Sequence, residues 1–480
     1  MRHRQERHLL VDPGLQPAAT PPLKSLLPAK PRELAWRDFL VMLLQVGAEI
    51  EHALMVEYLY AAYSLGGSQV SAAGREDVRR WRKSIITVAR EEMGHLLTVQ
   101  NLLCLLGGPP SFEREDYPWS SPYYPFPFCL EKLSLDSLAC YVYAEMEPNM
   151  PAVVPGEGPE GKHFQEQDRK LIEKIVTDRV KAAGWDEPHH VGEIYNSILE
   201  ILQDAKLVPD SCFDADTYGL QASWDEWGQG YRPVADDLDK PIPSRQSNVI
   251  VLQMGSRTEA IAGLKAIAGQ GEAPHLRDPR EKSPSHFARF VEIFQEFEAA
   301  KDPTLVRPVP LNPSTRPPGQ GGTGTYIADD TSRTWANFFN VRYRLLLAYL
   351  AHSYRLPRLE GQAGARAALL QRVFAEMFNV KAIAEILVRL PLGDPKAPER
   401  AGAPFEMPYT TTLPPDDMDC WRLYRDLLET SRTLSAELLA SAPQGDGRDY
   451  LLALRELDLG AIVWLDQLVS GPRRRRLLPA

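Results

Sequence analysis

In the stretch "AREEMGHLLTVQNLLCLLGG", Ala89 to Gly108, an apolar run of helical period puts two ionisable side chains on the face that must turn inward. Glu92 and His95 stand three residues apart, so on a helix both emerge on one side within reach of a single ion. Ile85, Val88, Val99 and Leu102 or Leu103 fall on that same side. An uncompensated carboxylate in such a core costs roughly several kcal/mol. Either the face is less buried than its composition implies, or something positive sits against it. Glu-x-x-His is common by chance, and a half-exposed Glu beside a hydrogen-bonded His is its ordinary account.

The pair is not isolated. "EIEHALMVEYL" places Glu51 on the face of Leu44, Ala48, Leu54 and Tyr58. "SLDSLACYVYAEMEP" places Glu145 below Leu138 and Tyr141. "TEAIAGLKAIAGQGE" ends with Glu272 below Ile261, Leu264 and Ala268, and His286 opens the segment that follows. Four inward carboxylates and two imidazoles match the donor set of a paired-metal carboxylate site in a four-helix bundle. Two divalent cations would balance four carboxylates, so the assembly could be buried with little net charge. Oxygen and imidazole donors without thiolate suit iron or manganese better than structural zinc. Glu49, Glu57, Glu91 and Glu147 flank the chosen positions and compete with them. So do His190 and Glu193 in "HHVGEIY", also three apart, whose simpler reading is a helix start.

Helical period dominates the chain and strand alternation is nearly absent, so the fold class is all-α. Helices are expected over Trp36–Leu65, Asp77–Leu106 and from Ser134 to the break at Pro148. A long aromatic connection, with Tyr117, Trp119, Tyr123, Tyr124, Phe126 and Phe128, joins the second to the third. It reads as a pocket lining or, equally, as a plug over the bundle end. The expected organisation is an arm at 1–32, a metal-binding bundle at 33–301 with an insert at 149–256, and a Pro/Gly-rich linker at 302–333. A helical domain at 334–470 and a basic tail at 471–480 complete it. "SNVIVLQ" reads as a short strand within the insert. The C-terminal helices echo the first two: "AEMFNVKAIAEILVRLPLGDP" resembles "EEMGHLLTVQNLLCLLGGPP", and "RLLLAYLAHSY" resembles "ALMVEYLYAAYS". Asn379 stands where His95 does, so the ligand pair is lost and the second half is read as a degenerate bundle, with chance similarity the alternative.

A net charge of −10 and a pI near 5.6 disfavour nucleic acid or an anionic membrane as partner. The five cysteines lack metal-type spacing, which fits a reducing cytoplasm.

The stretches "EIEHALMVEYLYAAYSL", "AREEMGHLLTVQNLLCLLGGPP", "VYAEMEP", "VGEIYNSI", "GQGE", "SHFARFVEIFQEF" and "AGAPFEMP" resemble the ferritin-like family of iminophenyl-pyruvate dimer synthases, which includes parts of the violacein, rebeccamycin and staurosporine enzymes. The resemblance implies a ferritin-like metal bundle with oxidative chemistry, and it favours Glu51 over Glu57. The pigment-pathway enzymes are far longer, so their tryptophan-derived substrate does not carry over directly. The last ligand pair, Glu272 and His286, also departs from Glu-x-x-His.

The expectation is a di-iron oxidase or oxygenase, with manganese as the other metal and O2 as co-substrate, acting on a small amino-acid-derived or other natural-product precursor. Glu51, Glu92, His95 and Glu145 would be catalytic, and Glu272 and His286 would complete the metal set. An external electron donor and a homodimer are compatible with this reading; metal storage, or a scaffold with a vestigial site, are its alternatives.

Overall fold

The computed structural model describes residues 29–147, 164–227, 249–319, 322–358, 364–441 and 445–470, apart from 120, 122, 272, 274, 275 and 277–283. Glu272, the arm before residue 29 and the tail at 471–480 therefore lie outside the described residues. The protein is all-α: among the described residues the strand pairing is one parallel pair of two residues each, β1 (Pro313–Ser314) with β2 (Thr325–Tyr326). The chain divides into two units, residues 1–312 and 313–480.

In the first unit α1 (Trp36–Ser64) and α2 (Gly74–Leu105) pack along each other. α1 ends at Leu65, after which Gly66 and Gly67 take φ of 95° and 124°, a left-handed backbone that glycine adopts without a Cβ clash. α1 is long and apolar enough to cross a membrane, but 78% of its most apolar window is buried inside the protein, so its faces are already covered. Residues 302–312 return along its C-terminal end, where Gly66 N–H donates to Leu305 O (2.8 Å) and Arg307 N–H to Ser64 O (2.8 Å). α3 (Leu135–Ala144) starts with a capping box, the Ser134 and Ser137 hydroxyls each accepting from the other's backbone N–H. It stops at Ala144, so Glu145 is its C-cap residue rather than part of the helix. α8 (His286–Ala300) lies against α2 and α3, and its N-cap Ser285 accepts from Ala288 N–H.

Between α3 and α8 run α4 (Glu166–Ala182), α5 (Val191–Gln203), the single turn α6 (Trp224–Trp227) and α7 (Arg257–Gln270). α4 packs on α3, α5 on α1, and α7 on both α5 and α2. Of the stretch read as a strand, Ser247–Gln253, the described part, Val249–Gln253, is neither strand nor helix and has no sheet partner among the described residues. Polar side chains of α2 satisfy it instead: Thr98 Oγ1 donates to Ile250 O (3.2 Å) and accepts from Leu252 N–H (3.3 Å), while Asn101 Nδ2 donates to Leu252 O (2.8 Å). The fit requires Gly94, because a Cβ there would come within 2.6 Å of Ile250 O.

The described part of the aromatic connection is largely buried. Tyr123, Tyr124, Phe126 and Phe128 are at most 2% exposed, and Tyr124 packs edge-on against Trp119 at 4.3 Å. Its hydroxyl donates to Glu49 on α1 (3.3 Å), and that of Tyr117 to Ala53 O (2.8 Å).

The second unit is built from α9 (Asp330–Ser353), α10 (Ala365–Leu387), α11 (Asp417–Ser441) and α12 (Asp446–Ser470). α9 packs on α10 and α11, and α11 on α12.

Candidate metal centre

Four elements of the first unit bring their acids and imidazoles to one place: Glu51 from α1, Glu92 and His95 from α2, Glu145 from the end of α3, and His286 from the first turn of α8. Each is at most 1% exposed. Glu92 is central, with Oε2 3.1 Å from His95 Nδ1 and Oε1 2.7 Å from His286 Nδ1. The outer carboxylates repeat the pattern on either side. Glu51 Oε2 lies 3.6 Å from His95 Nδ1, and Glu145 Oε2 lies 3.5 Å from His286 Nδ1. The two rings are nearly parallel, 5.3 Å apart at their centroids. Donor atoms of Glu92, His95 and His286 all fall within 4.8 Å of one another.

The outward atoms of these groups are held by neighbours. Tyr195 on α5 donates its hydroxyl to Glu51 Oε1, and Tyr58 on α1 donates to Glu145 Oε1 (2.6 Å). His95 Nε2 meets Gln270 Oε1 at the end of α7 (3.0 Å). His286 Nε2 meets Glu91 Oε2 (3.0 Å), and Arg289, one turn along α8, donates to both Glu91 oxygens (2.6 and 3.4 Å). Each imidazole therefore presents Nδ1 inward with Nε2 anchored, the arrangement by which outer partners orient ligating histidines. The anchors from α5 and α7 mean that the segment inserted between α3 and α8 helps build the site.

The inward atoms are left over. Glu51 Oε2, Glu92 Oε1, Glu145 Oε2 and His286 Nδ1 are buried without a partner in hydrogen-bonding geometry. Buried polar atoms are ordinarily satisfied, so orphans converging from four elements are compatible with a cation held between them. The electrostatics agree. Burial and the Glu92 carboxylate push Glu51 up to about 8, and the same two causes raise Glu145. Burial also opposes ionisation of Glu92, but the His286 and His95 imidazoles outweigh it and hold this acid well below the usual carboxylate range. Both imidazoles are raised well above their ordinary value because Glu92 and its fellow carboxylates overcome burial. Oxygen and nitrogen donors with no thiolate among them fit iron or manganese.

Of the competing positions, Glu91 stands behind His286, while Glu49, Glu57, His190 and Glu193 are engaged elsewhere. Glu49 accepts from Tyr124, and Glu57 accepts from Cys129 N–H (2.6 Å). His190 is the N-cap residue of α5, stacked on Tyr143 at 4.2 Å, and burial pushes it down to about 4; Glu193 lies 3.9 Å from His189. Sequence reasoning treated Glu91 as a rival ligand and overlooked Arg289, Gln270, Tyr58 and Tyr195. The "GQGE" string and the adjacent acids of "REEMGH" were the available signals.

A family model described as ferritin-like matches residues 44–295, the stretch that holds every group named above. Among curated proteins the chain is similar to dichlorochromopyrrolate synthase of Lentzea aerocolonigenes, 25% identical over 83% of this chain and 39% of that one. It is also similar to 2-imino-3-(indol-3-yl)propanoate dimerase of Chromobacterium violaceum, 24% identical over 80% of this chain and 35% of the other. The chain therefore spans well under half the length of either relative. A solved ferritin-like protein from Caulobacter vibrioides aligns at 14% identity with a TM-score of 0.42, covering 74% of this chain and 95% of that chain.

Proposed function

The chain belongs to the ferritin-like family, and on that premise we propose that it is a non-haem di-iron oxidoreductase of small-molecule biosynthesis. Glu51, Glu92 and His95 would hold one ion, and Glu145 and His286, with Glu92, would hold the second. Iron bound there would supply electrons to O2, manganese being the alternative metal. An external donor would return the electrons. The observation that carries the reading is the set of orphaned atoms on Glu51, Glu92, Glu145 and His286, each belonging to a side chain whose other polar atom faces a partner.

The protein's own contribution is geometric and electrostatic. Tyr58 and Tyr195 tie one oxygen of each outer carboxylate and so present only the other inward. Gln270 and the Glu91–Arg289 pair fix the two rings. Complete burial keeps bulk water from competing for the donors. The relatives' names support biosynthetic chemistry on a small amino-acid-derived precursor, an indolyl imino acid in one of them.

The test is O2 consumption by anaerobically prepared protein loaded with Fe(II), compared with Glu92→Gln. The reading expects rapid uptake by the parent and none above background by the variant. Equal uptake by both would reject the assignment, and elution as a large closed shell on size exclusion would favour storage instead.

A further inference from the structure

The second unit has a buried charged centre of its own. Arg342 on α9 is 2% exposed, and it donates through Nε to Glu376 on α10 (2.8 Å) and through Nη1 to both oxygens of Asp458 on α12 (2.8 and 3.0 Å). The same nitrogen donates to Ser431 Oγ on α11 (3.1 Å), whose hydroxyl donates in turn to Asp458 (2.7 Å). Asn379 Nδ2 donates to Glu376 (3.1 Å) and Asn379 Oδ1 accepts from Tyr450 (3.1 Å). Each of the four helices of this unit gives at least one residue to the centre.

The internal echo gives these positions a meaning. Aligning "RLLLAYLAHSY" with "ALMVEYLYAAY" sets Tyr349 on Tyr58 and carries Arg342 onto Glu51. Aligning "AEMFN" with "EEMGH" sets Glu376 on Glu92, Asn379 on His95 and Ala375 on Glu91. The first-helix acid has become a cation, the central acid is kept, and the imidazole has become an amide that donates to the kept acid. Glu91, which anchors His286 in the first unit, has become Ala375. Gly94, which lets the 249–253 segment lie against α2, has become Phe378, which is 72% exposed.

We propose that the Arg342 guanidinium is the built-in cation of a second, metal-free copy of the N-terminal site, so that the chain loads metal in one half only. The inference rests on reading the N-terminal cluster as a cation site. A guanidinium with fixed donors can meet two carboxylates without any ion from solution. Its removal leaves Glu376 and Asp458 buried and facing a common gap, a pair suited to a hard divalent cation.

The test uses full-length Arg342→Ala, with Mn(II) as the probe, measured by equilibrium dialysis and by thermal unfolding with and without chelator. The variant is expected to unfold earlier than the parent in chelator, to recover part of that loss in Mn(II), and to bind about one more Mn(II) per chain than the parent. Adding Glu376→Gln should remove the extra ion, and Arg342→Lys should bind none. If Arg342→Ala does not fold, the neutral Arg342→Gln carries the same expectations. Unchanged stability in chelator, or no extra Mn(II) and no recovery, would overturn the proposal. The metal content of the parent tests the N-terminal reading separately.

Discussion

Arg289→Met isolates the support behind one histidine without touching a donor. In the parent, the fully buried Glu91 receives Arg289 at 2.6 and 3.4 Å and faces His286 Nε2 at 3.0 Å. Removing one member of a buried ion pair costs about 3–5 kcal/mol while the other stays charged. Proton uptake sets a ceiling, since keeping a carboxyl of ordinary pKa neutral at pH 7 costs about 3.7 kcal/mol. The expected loss is therefore about 3–4 kcal/mol in the metal-free protein. At about 2–4 °C per kcal/mol for a unit of this size, the N-terminal transition should fall by about 6–16 °C in calorimetry with chelator present. Adding Glu91→Gln should recover most of the loss, because the carboxylate that lost its guanidinium goes with it. Metal affinity, measured by competition with a chromophoric chelator, should fall about 10–100-fold because Glu91, the anchor of His286, loses the guanidinium that holds it. A Tm within about 2 °C of the parent with unchanged metal affinity would refute the reasoning, as would a double variant no more stable than the single.

Three further substitutions probe other parts of the account. Tyr195→Phe strips the hydroxyl from Glu51 and should weaken Co(II) binding about tenfold in calorimetric titration while leaving the saturating stoichiometry intact. Gly94→Ala drives a methyl to 2.6 Å from Ile250 O; it should cost about 1–3 kcal/mol and speed hydrogen exchange at the Leu252 amide. Gly271→Ala would set a methyl 3.2 Å from Glu145 Oε2 and 3.8 Å from His286 Nδ1. It should weaken azide binding to the metal-loaded protein by about tenfold, roughly 1.4 kcal/mol, at unchanged metal content.

Much of the fold was legible because long helices write their buried faces at a 3.6-residue period, and α1, α2 and the C-terminal helices are long. The inward positions of Glu51, Glu92 and His95 follow from that period. Glu145 was found although its helix ends one residue earlier, since the C-cap residue still continues the face. His286 had no periodic signal of its own and was taken as the imidazole opening the segment after Glu272, which completed the donor count. The supporting layer was illegible for a physical reason: Tyr195, Gln270 and Arg289 act across elements, and only tertiary packing decides which acid each one meets. The segment after residue 248 misled because alternating apolar residues signal burial on one face, whether a strand or helix side chains supply the partners. The Arg342 centre was missed because the echo was followed only to Asn379, where a ligand is lost, and not to the position where a cation is gained.

The most direct test of the central claim is elemental analysis of anaerobically purified and reconstituted full-length protein beside Glu92→Gln. The account predicts roughly two iron or manganese ions per parent chain and a clear shortfall when the acid that faces both imidazoles is neutralised. Trace metal in the parent after loading, or the same content in both proteins, would contradict it.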